Sequence, residues 1–156
     1  MRRAIVVSIA LAFVGVARAN PEADRPNAIY AEALGKGGAW GVGYDYQLTH
    51  RFALGAVVSF APLDGQRLYT FAPYFAAYVL GGGHHHWFAD AGPLLEYLQT
   101  PSPVPEWKGM SSYGIGGQLS TGYEYRDHFL FRIYGEVIDG HNGVKPWAGI
   151  SIGWTF

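Results

Sequence analysis

Charged side chains are scarce in this sequence, so the few that interrupt apolar stretches are the first place to look for chemistry. Glu32, Asp45, Asp90, Glu96, Glu124, Arg132 and Glu136 form such a set. Carboxylates gathered around a guanidinium can make a buried ion-pair network that fixes packing, or can line a gated path for ions. Packing is the preferred reading, with Arg132 bridging carboxylates, because a buried charge without a partner costs several kcal/mol. His84-His85-His86 has the residue type for a metal site, and on a strand His84 and His86 would share a face. Only two imidazoles converge there, however, and the run follows Gly81-Gly82-Gly83, so a solvated turn is expected and no metal. Gly35-Lys36-Gly37-Gly38 is reminiscent of a phosphate loop but lacks a following helix, and reads as a tight turn. Ser112 and His141 could meet from different strands as nucleophile and base, yet nothing fixes that geometry, and no catalytic site or cofactor is expected.

The elements that must position these residues are strands. From Asn27 onward there is no helical period; period-two stretches are broken by turn residues. Eight segments emerge: 27–35, 38–48, 51–60, 67–80, 85–99, 111–126, 128–138 and 147–156. In the second, Trp40, Val42, Tyr44, Tyr46 and Leu48 share one face and Gly41, Gly43, Asp45 and Gln47 the other. The sixth sets Tyr113, Ile115, Leu119 and Tyr123 against Ser112, Gln118, Ser120 and Glu124. The last sets Ile150, Ile152 and Trp154 against Gly149, Ser151 and Gly153. Each strand therefore has one apolar and one polar face. Segment 67–80 is apolar on both, which leaves its facing open. Pro73 and Pro93 fall inside strands, where each removes a ladder donor and is expected to mark a bulge. With a three-residue turn after the sixth strand, Glu124 lies opposite Leu130 and diagonal to Arg132.

Alternation alone does not say which face is wet. A soluble barrel turns its apolar face inward and a membrane barrel turns it outward. Three features favour apolar-out. The polar face is rich in glycine, which suits a crowded interior better than an exposed sheet. Beyond residue 19 the only lysines are Lys36, Lys108 and Lys145, all in segments that read as loops. Aromatic residues such as Trp40, Phe60, Tyr123 and Trp154 cluster near segment ends, where interfacial girdles need them. Links at 49–50, 81–84 and 126–127 look tight. Those at 61–66, 100–110 and 139–146 look longer, and the link at 36–37 is short.

Composition agrees. Charged residues are 15% of the chain, against about a quarter in soluble domains, and a net charge of −1 offers no footprint for nucleic acid. There is no cysteine, so no disulfide contributes. Met1-Arg2-Arg3, the apolar run 4–16 and Ala17-Arg18-Ala19 make residues 1–19 an expected cleavable export signal, too short to span a bilayer. Residues 20–26 then form a flexible lead, and 27–156 a single barrel domain.

The opening stretch from Asn27 to Gly38, followed by Gly43-Tyr44-Asp45-Tyr46, resembles the first hairpin of the small eight-stranded outer-membrane β-barrel proteins, the OmpA/OmpX/OmpW-like group. The ending with Ile150, Ile152, Trp154 and Phe156 is similar to the C-terminal signal read by the barrel-assembly machinery. The resemblance implies an all-β, closed, antiparallel up-and-down transmembrane barrel in the outer membrane of a Gram-negative cell. Its implied partners are outer-membrane lipid, lipopolysaccharide and, during biogenesis, that machinery; a monomer is expected. It implies a structural or binding role with a side-chain-filled lumen. The alternatives are a narrow channel or conduit for small hydrophobic molecules, or an enzyme acting on lipid A. Lipid A deacylases of this shape carry His-x-Ser, and none of the six histidines here is followed two positions later by serine. The loop 101–109, with Trp107, is the candidate contact surface.

Overall fold

The computed structural model describes residues 25–63, 65–102, 109–140 and 143–156. Eight antiparallel strands follow in chain order: β1 (Asn27–Ala33), β2 (Trp40–Thr49), β3 (Phe52–Leu63), β4 (Gln66–Gly82), β5 (His85–Thr100), β6 (Met110–Arg126), β7 (Phe129–Gly140) and β8 (Gly143–Thr155). Each pairs with its neighbours in sequence, and β1 pairs with β8, so the sheet closes as an up-and-down barrel. Asn27 and Phe156 exchange backbone hydrogen bonds of 3.1 and 3.0 Å at the seam. Closure leaves no free edge along the staves, which is the reason a barrel tolerates strands this apolar.

The apolar faces point outward. Ile150, Ile152 and Trp154 are 43%, 52% and 57% exposed, while Glu124 and Arg132 are 0% and 4% exposed. The facing of β4, undecided in the sequence, follows suit. Tyr69, Phe71, Phe75 and Val79 face out, and Thr70, Ala72, Tyr74, Ala76 and Tyr78 are buried inside. The small inward alanines leave room for the tyrosines between them.

The interior explains the glycines. Tyr30 of β1 lies between Gly43 and Gly153, its partners on β2 and β8. A Cβ on Gly43 would sit 2.2 Å from the Tyr30 ring, one on Gly55 2.4 Å from Tyr74, and one on Gly149 2.5 Å from Tyr134. Inward tyrosines thus lie flat across glycines of neighbouring strands, filling the tube with few large side chains.

Several sequence expectations need correction. Residues 61–63 and 143–146 continue the ladders of β3 and β8, so the links at 61–66 and 139–146 shrink to tight hairpins. The first link, expected to be short, runs from 34 to 39, and only 101–109 is longer. Pro73 and Pro93 mark no bulge. The β4–β5 register is the same on both sides of them, with a gap in the ladder between Phe71↔Leu95 and Phe75↔Ala91. The register shifts fall elsewhere, at Gln47/Thr49 and Tyr78/Leu80. Pro26, assigned to the lead, accepts the Gln47 N–H at 2.7 Å.

Candidate functional site

The lumen is the candidate site, and its charges sit in two layers. Toward the termini, the tight turn after β6 sets Glu124 directly opposite Arg132, two positions from the register expected. Arg132 Nε donates to Glu124 Oε2, and its Nη2 lies 2.5 Å from Asp45 Oδ2. Nη1 of Arg132 donates to the Tyr74 hydroxyl at 3.1 Å, and that hydroxyl is 2.7 Å from the hydroxyl of Tyr30. The guanidinium also stacks against the Tyr30 ring at 5.1 Å. Arg126, at the end of β6, is buried as well. It reaches Asp45 Oδ1 at 2.9 Å, Glu124 Oε1 at 3.7 Å and the Pro26 carbonyl at 3.0 Å. Two arginines therefore face two carboxylates, and this layer is neutral.

The cation of the loop-end layer was not foreseen. Lys36, read as part of a tight turn, is 2% exposed and lies inside the barrel. Loop 34–39 folds back into the lumen through left-handed backbone at Leu34 (φ 57°), Lys36 (φ 43°) and Gly37 (φ 79°). Lys36 Nζ contacts Asp90 Oδ1 at 2.6 Å and Ser120 Oγ at 2.8 Å, between the rings of Tyr74 and Tyr134. Thr70 fixes the loop from below by donating to the Lys36 carbonyl at 3.0 Å. Glu32, 4% exposed, accepts from Ser151 at 3.1 Å. Glu136 is also 4% exposed, and the Gly37 backbone N–H is its hydrogen-bond partner from the inturned loop. Among the described residues Gln118 Nε2 has no hydrogen-bond partner, while the Tyr134 hydroxyl lies against the Glu32 carboxylate. Three carboxylates, Glu32, Asp90 and Glu136, thus share one described cation. Glu96 stands higher, half-buried, where it lines a cavity of about 50 Å³ with Gln66, Leu68 and Ser112.

The seven residues singled out from the sequence all face inward. Asp45, Glu124 and Arg132 come together in one layer, while Glu32, Asp90 and Glu136 surround Lys36 in the other. What sequence reasoning missed was Lys36 and the tyrosines. The deficit itself was a signal, since a set of six lumenal carboxylates against one arginine demands further positive charge.

The other candidates fall apart. His84 lies in the β4–β5 turn, His85 points outward onto the Tyr123 hydroxyl at 2.5 Å, and His86 turns inward against Tyr78. Ser112 is exposed on β6, and its suggested partner His141 lies outside the described residues, as do Trp107 and the export segment 1–19.

The outer surface carries its own pattern. Phe60, Tyr69, Tyr97 and Tyr113 form a contiguous row of ring contacts across β3 to β6, with centroids 5.0 to 6.2 Å apart. At the other end Trp87 and Trp154 are 46% and 57% exposed. From Tyr113 to Tyr123 along β6 the strand advances roughly 33 Å, which at a tilt near 40° is about 25 Å of height, the height of the apolar band on an outer-membrane barrel.

No protein-family model and no curated protein matches this chain. Among solved structures it is similar to the N-terminal β-barrel domain of Pseudomonas aeruginosa OprF, at 14% identity and a TM-score of 0.64, covering 83% of this chain and 95% of that one. At that identity the likeness is one of fold: a closed, eight-stranded, antiparallel barrel, as the resemblance implied.

Proposed function

We propose that this protein is an exported, integral outer-membrane barrel with a sealed lumen, serving a structural or binding role through its loops. The observation that carries the reading is the pair of ion-paired plugs in series. Arg132 with Asp45 and Glu124 blocks one level, and Lys36 with Asp90 blocks the next. A tube of eight strands is just wide enough for side chains to fill, and here inward tyrosines and paired charges fill it. The outward apolar surface, bounded by aromatic rows about one bilayer core apart, supports insertion as strands. The ending at Phe156 supports delivery by the barrel-assembly machinery, with lipid and lipopolysaccharide as surroundings and a monomer as the assembled form.

Planar-bilayer recording tests the seal. The wild-type protein is expected to insert without discrete openings. Regular openings that vanish with Glu124→Gln or Arg132→Gln would instead make it a narrow channel. One observation favours that second reading: among the described residues Gln118 Nε2 has no hydrogen-bond partner in the loop-end layer, where water or an ion could be accommodated.

A further inference from the structure

Of the six histidines, five lie at the termini end of the barrel, distributed over all three of its turns. His50 follows β2, His84 and His85 straddle the start of β5, and His128 precedes β7. All four are exposed; His86, the fifth, turns inward opposite Glu124. Three of the exposed imidazoles touch outward aromatic residues. His85 lies 2.5 Å from the Tyr123 hydroxyl with its ring against Tyr125, His84 contacts the Tyr125 ring at 6.1 Å, and His128 meets the Trp154 ring edge-on at 6.4 Å.

The charges facing this collar are few. Arg51 adjoins His50 in the β2–β3 turn, and Arg25 comes from the chain entering β1. Asp127 is the only solvent-reaching acidic side chain on this rim among the described residues. It is shared by His128 at 3.1 Å, Arg25 at 3.7 Å and His84 at 4.0 Å. The buried Arg126 is already matched by Asp45 and Glu124, and the terminal carboxylate of Phe156 lies beside the β1–β8 seam. When the imidazoles gain protons, one carboxylate and the chain terminus face up to six cations, and the surplus needs anions from outside.

We propose that this collar binds the phosphate groups of anionic lipids in the leaflet at the termini end, and holds them more tightly as pH falls. The inference rests on the membrane reading above. Histidine is the side chain whose charge changes between about pH 5 and 8. The imidazoles lie sideways among rings that face the hydrocarbon, which is headgroup level for a bilayer. That position favours a lipid phosphate over a soluble polyanion.

The test uses the full barrel in vesicles of phosphatidylcholine with a minority of phosphatidylglycerol. Bromine is carried on the acyl chains of one lipid or of the other. With Trp40, Trp107 and Trp147 replaced by phenylalanine, quenching of Trp87 and Trp154 by each lipid gives their relative association at the rim. Taking the ratio at a single pH cancels any direct effect of an imidazolium on Trp154. A cation at an anionic surface is worth about five-fold in binding, so partial protonation of three contacts should raise phosphatidylglycerol preference by at least roughly three-fold between about pH 8 and pH 5. The variant His84→Asn/His85→Asn/His128→Asn should show no such rise. Asp127→Asn, which frees the collar from its carboxylate, should raise the preference already near pH 8.

A pH-independent preference in the wild type, or an unchanged rise in the triple variant, would overturn the proposal. So would loss of the preference on adding millimolar inorganic phosphate at constant ionic strength, which would mark a free-anion site. If neither brominated lipid quenches, the membrane reading fails and takes this proposal with it; quenching by both without pH-dependent preference refutes the collar alone.

Discussion

Removing Arg132 should unmask the energetics of the lumen. Arg132 gives Glu124 its closest cation, holds Asp45 at 2.5 Å and donates to Tyr74 at 3.1 Å. In Arg132→Met, Asp45 keeps Arg126 at 2.9 Å, but Glu124 retains only the 3.7 Å approach of Arg126. A fully buried carboxylate is left nearly alone, and breaking such a pair costs about 3–5 kcal/mol. Neutralising the orphan reverses most of the loss, because a matched pair replaced by apolar groups is close to neutral. Glu124→Met/Arg132→Met should therefore return to within about 1–2 kcal/mol of wild type, and the double-mutant cycle should show coupling of at least about 2 kcal/mol. Equilibrium urea unfolding in lipid vesicles, followed by tryptophan fluorescence and by the shift in gel mobility on heating, supplies the four free energies. A loss below about 1 kcal/mol for Arg132→Met, or a double variant less stable than the single one, would refute the idea that these charges are dry and mutually dependent.

Other outcomes follow from the same geometry. Lys36→Met, which strands Glu32, Asp90 and Glu136, should cost about 3–5 kcal/mol near neutral pH. Equilibrium urea unfolding in lipid vesicles measures the loss. Because the two plugs lie in series, neither Lys36→Ala nor Arg132→Ala alone should conduct in a planar bilayer, whereas the double variant should pass current. Gly43→Val would place side-chain atoms within the Tyr30 ring, whose carbons already lie 2.2 Å from a Cβ there; it should refold in low yield, while Gly135→Ala, with open space around it, should refold normally. Deleting Phe156 should lower the amount of barrel reaching the outer membrane in cells while leaving refolding in detergent intact, seen by fractionation and heat-shifted mobility.

Strand identity and facing were legible because a closed barrel imposes a strict period of two, and most strands here carry polar residues on one face only. β4 resisted that logic. Its inward positions Ala72 and Ala76 are apolar yet small, chosen for the room they leave beside Tyr74 and Tyr78, and hydropathy does not distinguish a spacer from a lipid contact. Turn lengths were misjudged for a different reason. Backbone pairing continues for as long as two strands stay adjacent, whatever their side chains, so Pro62 and Pro146 sit within β3 and β8 rather than ending them. The register of Glu124 with Arg132 hung on where the turn after β6 is centred, since displacing that centre by one residue moves each partner by two, below the resolution of pattern reading. The acidic half of the lumenal set could be read from parity, since each member alternates with an apolar neighbour. Lys36 could not, because its place depends on a loop turning back through left-handed backbone at Lys36 and Gly37, a decision made by space inside the tube.

The most direct test of the whole account exploits the absence of cysteine. Single cysteines placed in turn at Gln118, Leu119, Ser151 and Ile152 can carry a spin label in a bilayer. Accessibility is then measured to oxygen, which dissolves in hydrocarbon, and to a polar nickel chelate, which does not. Labels at Leu119 and Ile152 should be open to oxygen and shielded from nickel, and those at Gln118 and Ser151 shielded from both. Nickel reaching Leu119 or Ile152 as readily as oxygen, or an absence of alternation between neighbours, would contradict a sealed barrel with its apolar face in lipid.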